Sequence, residues 1–309
     1  MEENIRKYSV FSKIQGLKFL KKRCILNIQP FGNGTVKIME EVRVLNIGFL
    51  GVGHLASSML GGLMEKNAVS ACDIVLYDRS AQRMTPWQAQ GMRCAANEAD
   101  LVAQADIVFL MIRPSDFPDA LQALRGSFDP QSKLFVSTAA AVSIAYLSDG
   151  LGGAPVIRTM PNTALALGMS ATALCAGPGV DRERFEYVKR LFESCGICVE
   201  LPESQMNDVI CVSGSSPAYL YYLAQTILDW AQSRGFDPQT ALQLVAQTFN
   251  GAAKMMLESG NTPAQLRDAV CSPGGTTIEA VEEMRRSGFD DMMKRAMDAC
   301  FKRAEELAR

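Results

Sequence analysis

Residues 44 to about 200 alternate short apolar runs with helical segments. Residues 44–50 read as a strand, followed by the turn Gly51-Val52-Gly53 and a helix over 54–65. Further strands are expected at 73–77, 106–112, 134–137 and 155–158. Pro114 ends the third of these runs, because proline cannot donate to a sheet ladder. Strands alternating with helices imply right-handed crossovers and a mostly parallel sheet. After Pro202 the strand signal fades, and 217–232, 238–258, 263–270, 276–286 and 289–308 read as helices. Proline opens several of them, where a missing N–H costs nothing. Gly235 and Gly260 stand where helices are expected to stop.

The pattern gives an α/β domain over 44–202 and a helical domain over 203–309. The helical part is rich in apolar residues, which suits packing against another subunit, although amphipathic core helices would look the same. Residues 1–43 look foreign to the rest of the chain. Arg6, Lys7, Lys13, Lys18, Lys21, Lys22 and Arg23 make them locally basic. A short amphipathic helix over 10–20 is possible there, and Glu2 and Glu3 argue against a targeting peptide. The folded protein is expected to start near Met39, after a leader of uncertain order.

Bulk properties narrow the function class. The chain has 309 residues, 48% hydrophobic and 21% charged, which suits two ordinary globular domains. A net charge of -2 provides no global field for nucleic acid or an anionic membrane. Residues 159–180 and 209–228 are long and uncharged, but polar or helix-breaking residues interrupt both, so neither reads as a membrane helix. No secretory signal is visible. Nine scattered cysteines fit a reducing cytoplasm better than a disulfide framework. Cys195 and Cys198 form the one close pair; a zinc site would need a second pair or histidines, so the pair reads as structural and no metal is expected.

The candidate chemistry begins at the first turn. Gly51, Gly53 and Ala56 give Gly-x-Gly-x-x-Ala between a strand and a helix. The first glycine permits the tight turn, the second lets backbone approach a pyrophosphate, and the small third residue lets helix and strand pack closely. The helix N-terminus favours the phosphate charge. Asp78, at the end of the second strand, is roughly where a ribose-binding carboxylate belongs, which favours NAD. Arg79, Ser80 and Arg83 come directly after it and suit a 2′-phosphate, so the reading leans to NADPH, with NADH possible.

The only histidine is His54, inside the glycine turn. A histidine general base of the alcohol-dehydrogenase kind therefore has little support. Reduction of a C=N bond asks for less, because an iminium is already an electrophile. Such a site must place substrate against nicotinamide, hold any carboxylate and supply at most a weak proton donor. The run 271–279 suits the second of these tasks. Pro273, Gly274 and Gly275 favour a tight turn, and Thr276 and Glu279 have capping-box spacing. Free N–H groups, threonine hydroxyls and a helix N-terminus can hold a carboxylate, or the run is an ordinary capped loop. Asn162, just after a strand, can donate to a carboxamide or ribose, or cap the next turn. Ser213 and Ser215 read as caps at the opening of a long helix.

Met160-Pro161-Asn162-Thr163, Ser213-Gly214-Ser215-Ser216-Pro217-Ala218-Tyr219, and the stretch from Pro263-Ala264-Gln265-Leu266 through Val270-Cys271-Ser272-Pro273-Gly274-Gly275-Thr276-Thr277 stand in this order. With them the chain resembles the pyrroline-5-carboxylate reductase family of proline biosynthesis, from about Val44 to its end. The resemblance implies a Rossmann-type parallel sheet followed by an all-helical dimerisation domain, in a homodimer or larger homo-oligomer. It implies that Gly51, Gly53, His54, Leu55 and Ala56 line the pyrophosphate. Arg79, Ser80 and Asn97 would lie toward the adenosine ribose, and Ile112, Arg113 and Pro114 beside the nicotinamide ribose. Ser272, Gly274, Gly275, Thr276 and Thr277 would hold a small-molecule substrate, with Thr277 the candidate proton donor. The chain departs from the family at His54, where Asn or Gln is frequent, at Arg113 for Lys, at Ala164 for Pro and at Ala141 for Gly. The competing readings are another Rossmann imine or hydroxy-acid reductase and a cofactor-binding paralogue without turnover.

Overall fold

The computed structural model describes residues 45–308, together with Ile28–Pro30 and Val36–Ile38. Internal contacts divide the chain into two compact units, Met1–Asn46 and Ile47–Arg309. In the first, β1 (Ile28–Pro30) pairs antiparallel with β2 (Val36–Ile38) inside the segment read as a leader. The helix expected at 10–20 lies outside the described residues.

The second unit is built on an eight-stranded sheet. Its strands are β3 (Ile47–Leu50), β4 (Ile74–Tyr77), β5 (Arg93–Cys94), β6 (Ile107–Leu110), β7 (Leu134–Ser137), β8 (Val156–Met160), β9 (Ser170–Ala176) and β10 (Gly196–Glu200). They lie in the order β10-β9-β8-β7-β6-β3-β4-β5. Every pairing is parallel except that of β8 with β9. β3, β6, β7 and β8 are buried at every position. Helices cover both faces of such strands, which explains why they read as short unbroken apolar runs. At the centre the rings of Phe49 on β3 and Phe109 on β6 stack with centroids 5.0 Å apart, and Phe192 packs on Phe109 at 5.9 Å. All three are fully buried.

The crossover helices are α1 (His54–Glu65), α2 (Ala81–Gln88), α3 (Glu98–Gln104), α4 (Phe117–Leu124), α5 (Ile144–Gly150) and α6 (Arg182–Glu193). The predicted strands are present: β3, β4 and β6 are shorter than expected, β7 has the expected bounds, and β8 starts one residue later and runs two further. The pattern missed β1, β2, the two-residue β5, β9 and β10. Residues 159–180 contain the end of β8, a short 3-10 turn and β9, which folds back antiparallel after Gly168 reverses the chain at φ 66°. That reversal needs an αL residue, and glycine adopts it without penalty. Cys195 directly precedes β10, which contains Cys198. Cys195 is fully buried against α1, and burial with Glu193 nearby pushes the Cys198 thiol up to about 12. A protonated thiol is a poor metal ligand. Ala141 takes φ 61°, the left-handed conformation that explains why glycine is usual there in the resembled family.

Beyond Glu200 the described residues contain no strand. A π-helical turn, Ile210–Gly214, leads into α7 (Ser216–Ser233), then α8 (Pro238–Glu258), α9 (Pro263–Val270), α10 (Thr276–Arg286) and α11 (Phe289–Leu307). Ser213 and Ser215 do not cap. Ser213 Oγ donates to the Val209 carbonyl, and Ser215 makes no cap bond because its backbone is already helical. The sheet is joined to this region by a buried arginine. Arg158 on β8 donates from Nη2 to Asn207 Oδ1 at 2.6 Å and faces Glu203 Oε1 at 3.6 Å. Glu203 Oε1 in turn accepts the Ile144 N–H at 2.7 Å.

Phe109 packs against Phe49 on one side and Phe192 on the other, so Phe109→Ala should destabilise the fold by about 3–5 kcal/mol through lost burial and an unfilled cavity. Chemical denaturation at fixed protein concentration checks this, and a loss under about 1 kcal/mol would show that the core collapses around the gap.

Candidate active site

The strand order reverses at β3: β4 lies on one side and β6 on the other. In an open parallel sheet this leaves a crevice at the carboxyl ends of the two flanking strands, where ligands bind. A cleft of about 830 Å³ opens there. Its lining comes from the ends of β3, β4 and β6 and from α2 and α4: Gly51 and Gly53; Tyr77, Asp78, Arg79, Ser80 and Arg83; Met111, Ile112, Arg113 and Asp116; Asp119, Ala120 and Ala123. The volume suits an elongated organic ligand.

The floor of the cleft is a tightly tied turn. Gly51 has φ 94°, and a Cβ there would lie 2.6 Å from the Met111 carbonyl oxygen. Only glycine lets β3 turn this close to β6. The Gly51 N–H donates to Tyr77 O at 2.8 Å, and the Met111 N–H to Leu50 O at 2.8 Å, so three strand ends stay in register past the sheet. Gly53 differs. Its φ is -78°, which any residue adopts, and a Cβ there would meet nothing within 4 Å. The protein leaves open space beside Gly53 at the start of α1, and no acidic residue occupies the first turn of that helix. The helix N-terminus, its free N–H groups and this unfilled space fit a phosphate group.

Asp78 does not have the role its position suggested. Its Oδ2 accepts the Val52 N–H and its Oδ1 the Ser80 N–H, both at 2.8 Å. Arg83 faces Oδ2 at 3.5 Å, and the side chain is only 8% exposed. Both oxygens are engaged in holding two turns, so this carboxylate is not free to accept ribose hydroxyls. The expectation that Asp78 favours NAD is corrected accordingly. Arg79 remains at the cleft, with its side chain 64% exposed.

Arg79 and Arg113, which the resemblance set at opposite ends of a dinucleotide, meet at one group. Arg79 Nη2 lies 3.0 Å from Asp116 Oδ1, and Arg113 Nε lies 3.1 Å from Asp116 Oδ2. Hydrogen bonds from Arg113 first, and from Arg79 after it, hold the Asp116 carboxyl below the usual range against a desolvation effect. The sequence reading missed Asp116. Its place two residues after Pro114, in a loop at a strand's carboxyl end, was a usable signal; its partners were not visible. Tyr77 and Glu98, also in the lining, were missed too.

Other expected residues stand around the cleft without lining it. His54 is the exposed first residue of α1, Leu55 is half-buried and Ala56 is buried beneath the turn. Pro114 opens the short 3-10 turn that carries Asp116. Asn97 caps α3, its Oδ1 accepting the Asp100 N–H at 2.9 Å. Asn162 also caps: its Oδ1 accepts the Ala164 N–H at 3.1 Å, while its Nδ2 donates to the Ser213 carbonyl at 3.2 Å. Of the two readings open for Asn162, capping is the one its contacts display.

The loop between α9 and α10 is not part of this cleft's lining. Gly274 takes φ 69°, and the Gly275 N–H donates to the Ser272 carbonyl at 3.0 Å. A Cβ on Gly275 would lie 2.5 Å from Ser272 Oγ, so the loop is closed tightly on itself. The capping box expected at Thr276 and Glu279 does not form. Gly275 is the N-cap and makes no side-chain cap, because Thr276 is already the first helical residue. A capping box forms instead one helix earlier, between Thr262 and Gln265. Ser272, Thr276 and Thr277 are consequently exposed at a helix N-terminus whose first N–H groups lack helical partners. This arrangement can accept a carboxylate.

Two family models match the chain. One, described as an NADP oxidoreductase, coenzyme F420-dependent, covers residues 46–141; the other, pyrroline-5-carboxylate reductase dimerisation, covers residues 203–307. The chain is 36% identical to pyrroline-5-carboxylate reductase of Escherichia coli over 265 residues, 85% of this chain and 98% of that protein. It is 34% identical to that of Corynebacterium melassecola over 267 residues, again 85% and 98%. A solved 1-pyrroline-5-carboxylate reductase from Streptococcus pyogenes superposes with a TM-score of 0.77 at 30% identity, covering 85% of this chain and 98% of that one. One from Coxiella burnetii gives a TM-score of 0.79 at 28% identity, covering 86% and 100%. With a tied glycine turn at the sheet reversal, a self-closed loop before α10 and relatives matched over nearly their whole length, the chain belongs to the pyrroline-5-carboxylate reductase family.

Proposed function

We propose that the protein reduces the cyclic imine 1-pyrroline-5-carboxylate to proline at the expense of NADPH. The observation that carries this reading is the N-terminus of α10, where a closed loop presents Ser272, Thr276 and Thr277 to a carboxylated ligand in a chain whose family acts on one. Bound in the cleft, the nicotinamide supplies the hydride. The residues around it have lighter work. Gly51 and Gly53 keep the backbone low, and the start of α1, with His54, Leu55 and Ala56, offers N–H groups to the pyrophosphate. Arg79 and Ser80 meet the adenosine end, with Asn97 beside them. Ile112 and Pro114 border the nicotinamide end, and Arg113 shares Asp116 with Arg79.

At the second loop, Ser272, Gly274, Gly275 and Thr276 orient the substrate carboxylate, and the helix N-terminus offsets its charge. The Thr277 hydroxyl stands one residue further along the same turn and donates a proton to the imine nitrogen as its bonding electrons shift there. Solvent restores the hydroxyl. The chain's lack of any other histidine is no obstacle, because the nitrogen of the product is itself basic.

Preference for NADPH is supported by the engagement of Asp78 in backbone bonds and by the exposed guanidinium of Arg79 beside it. Assembly as a homodimer or larger homo-oligomer is supported by the apolar side chains that α7 and α8 expose, among them Tyr222 at 80% and Leu257 at 81%. We read 44–202 as the dinucleotide-binding domain and 203–309 as the substrate and dimerisation domain. Dimerisation would bring the loop of one copy to a cleft that its own chain does not close. Among the described residues no helix is long and apolar enough to cross a membrane, and the eight described cysteines are free thiols. Both facts are compatible with a cytoplasmic enzyme.

Purified protein should oxidise NADPH only when pyrroline-5-carboxylate is present; absence of substrate-dependent oxidation with either cofactor would sink the assignment. Thr277→Ala should lower kcat about a hundredfold, the lower end of what a positioned proton donor supplies, with unchanged NADPH affinity and partial rescue by Thr277→Ser. Full turnover in Thr277→Ala would remove the hydroxyl from the chemistry. Arg79→Ala should weaken NADPH roughly tenfold, the value of one charge-assisted hydrogen bond, and NADH far less. An equal loss for both cofactors would take Arg79 out of 2′-phosphate recognition. Sedimentation velocity should show a dimer or larger species at low micromolar protein, and a monomer there would refute the dimerisation reading.

A further inference from the structure

The cleft contains an anion of its own beside the arginine assigned to the 2′-phosphate. Asp116 Oδ1 is 3.0 Å from Arg79 Nη2, across the cleft from β6 to β4. The carboxylate has no structural duty that would explain its position. It precedes α4 but makes no side-chain cap bond, and its own N–H is satisfied by the Arg113 carbonyl at 2.9 Å. The side-chain hydrogen bonds it accepts come from Arg79 and Arg113. Those two guanidinium groups are mostly exposed, at 64% and 78%. An exposed pair of this kind adds little to the stability of a fold.

Asp116 differs from Asp78 in this respect. Asp78 is buried and bound to backbone, so it cannot move without undoing two turns. Asp116 is bound only to flexible side chains. It also has a second partner: Arg113 approaches both of its oxygens, Nε to Oδ2 at 3.1 Å and Nη2 to Oδ1 at 3.5 Å. If Arg79 turns away, the carboxylate keeps Arg113 and is not left as an unpaired charge next to the incoming ligand. A dianionic phosphate monoester is the stronger acceptor for a guanidinium and displaces a single carboxylate oxygen. A ribose with a free 2′-hydroxyl has no charge with which to do so, and leaves the pair intact.

We infer that Asp116 is a specificity-determining residue, a built-in competitor that occupies Arg79 and must be displaced by the 2′-phosphate of NADPH but not by NADH. The inference rests on the assignment of Arg79 to that phosphate. It means that the NADPH preference of this chain is set by a difference: the gain of the phosphate on Arg79 less the loss of Asp116. Removing the competitor should therefore raise the preference.

The test is direct binding, followed by nicotinamide fluorescence in titrations of wild type, Asp116→Asn, Asp116→Glu, Arg79→Ala and the double variant Arg79→Ala/Asp116→Asn. Asp116→Asn should tighten NADPH roughly two- to fivefold, the worth of an exposed ion pair, and leave NADH unchanged. Asp116→Glu keeps the charge and should keep the wild-type ratio of the two affinities. In the Arg79→Ala background, Asp116→Asn should alter neither. Equal shifts for both cofactors, weaker NADPH binding in Asp116→Asn, or the same tightening without Arg79 would each overturn the inference. If wild type binds both cofactors alike and Arg79→Ala moves them equally, the 2′-phosphate assignment fails, and the inference with it. An intact NADPH preference that Asp116→Asn does not raise removes Asp116 alone.

Discussion

One carboxylate holds the cleft at the sheet reversal together. Asp78 leaves the end of β4 and accepts the N–H of Val52, inside the glycine turn, and that of Ser80, at the start of the next loop. Each bond is an ordinary one, but they tie together two loops that would otherwise move independently. A carboxylate with few routes to water keeps such donors better than a neutral side chain would. The backbone bonds from Gly51 to Tyr77 and from Met111 to Leu50 extend the same tie across three strands. Above this floor lie the open space beside Gly53 and the exposed Arg79.

The two candidate ligand sites use similar physics in different ways. Both present the N-terminus of a helix after a glycine-rich turn. At α1 the turn is anchored to neighbouring strands, and the unfilled volume lies beside Gly53. At α10 the turn is closed on itself, through Ser272 and Gly275, and its threonines are exposed. The first suits a long ligand that lies across the sheet. The second suits a small anion gripped at one point. α7 and α8 expose apolar surface of a kind rarely left to water.

Charge around the cleft is balanced locally. Arg83 faces Asp78, while Arg79 and Arg113 share Asp116. The buried Arg158 is treated differently, with Asn207 and Glu203 close by and both belonging to the segment that leads into the helical region. A charge taken this far from water keeps its partners in place, because separating them would leave it uncompensated. The sheet passes its position on to the helices through Arg158 and through Asn162, which donates to the Ser213 carbonyl, and the exposed pairs at the cleft stay free to exchange partners.

The sequence by itself determined the alternation of strands and helices, the change to all-helical structure after Pro202, the glycine turn and the loop before α10. Each is a local matter of periodicity or of backbone freedom at particular glycines, and a linear chain displays both. It did not reveal β9, because an uncharged stretch with a reversal at Gly168 has the same composition whether it forms a hairpin, a loop or part of a helix, nor β10, a five-residue edge strand with mostly exposed positions and no buried apolar run. It offered a capping box at Thr276 that the extended backbone of Gly275 made unnecessary, one residue earlier. Asp78 read as a ribose ligand from its position alone, and Asp116 offered nothing beyond its place in a loop. Only the tertiary structure decided those two roles, because a carboxylate's function depends on which donors reach it. The donors here come from residues 26 positions away in one case and 37 in the other, brought close by adjacent β3 and β4 in the first and by β4 and β6, which flank β3, in the second.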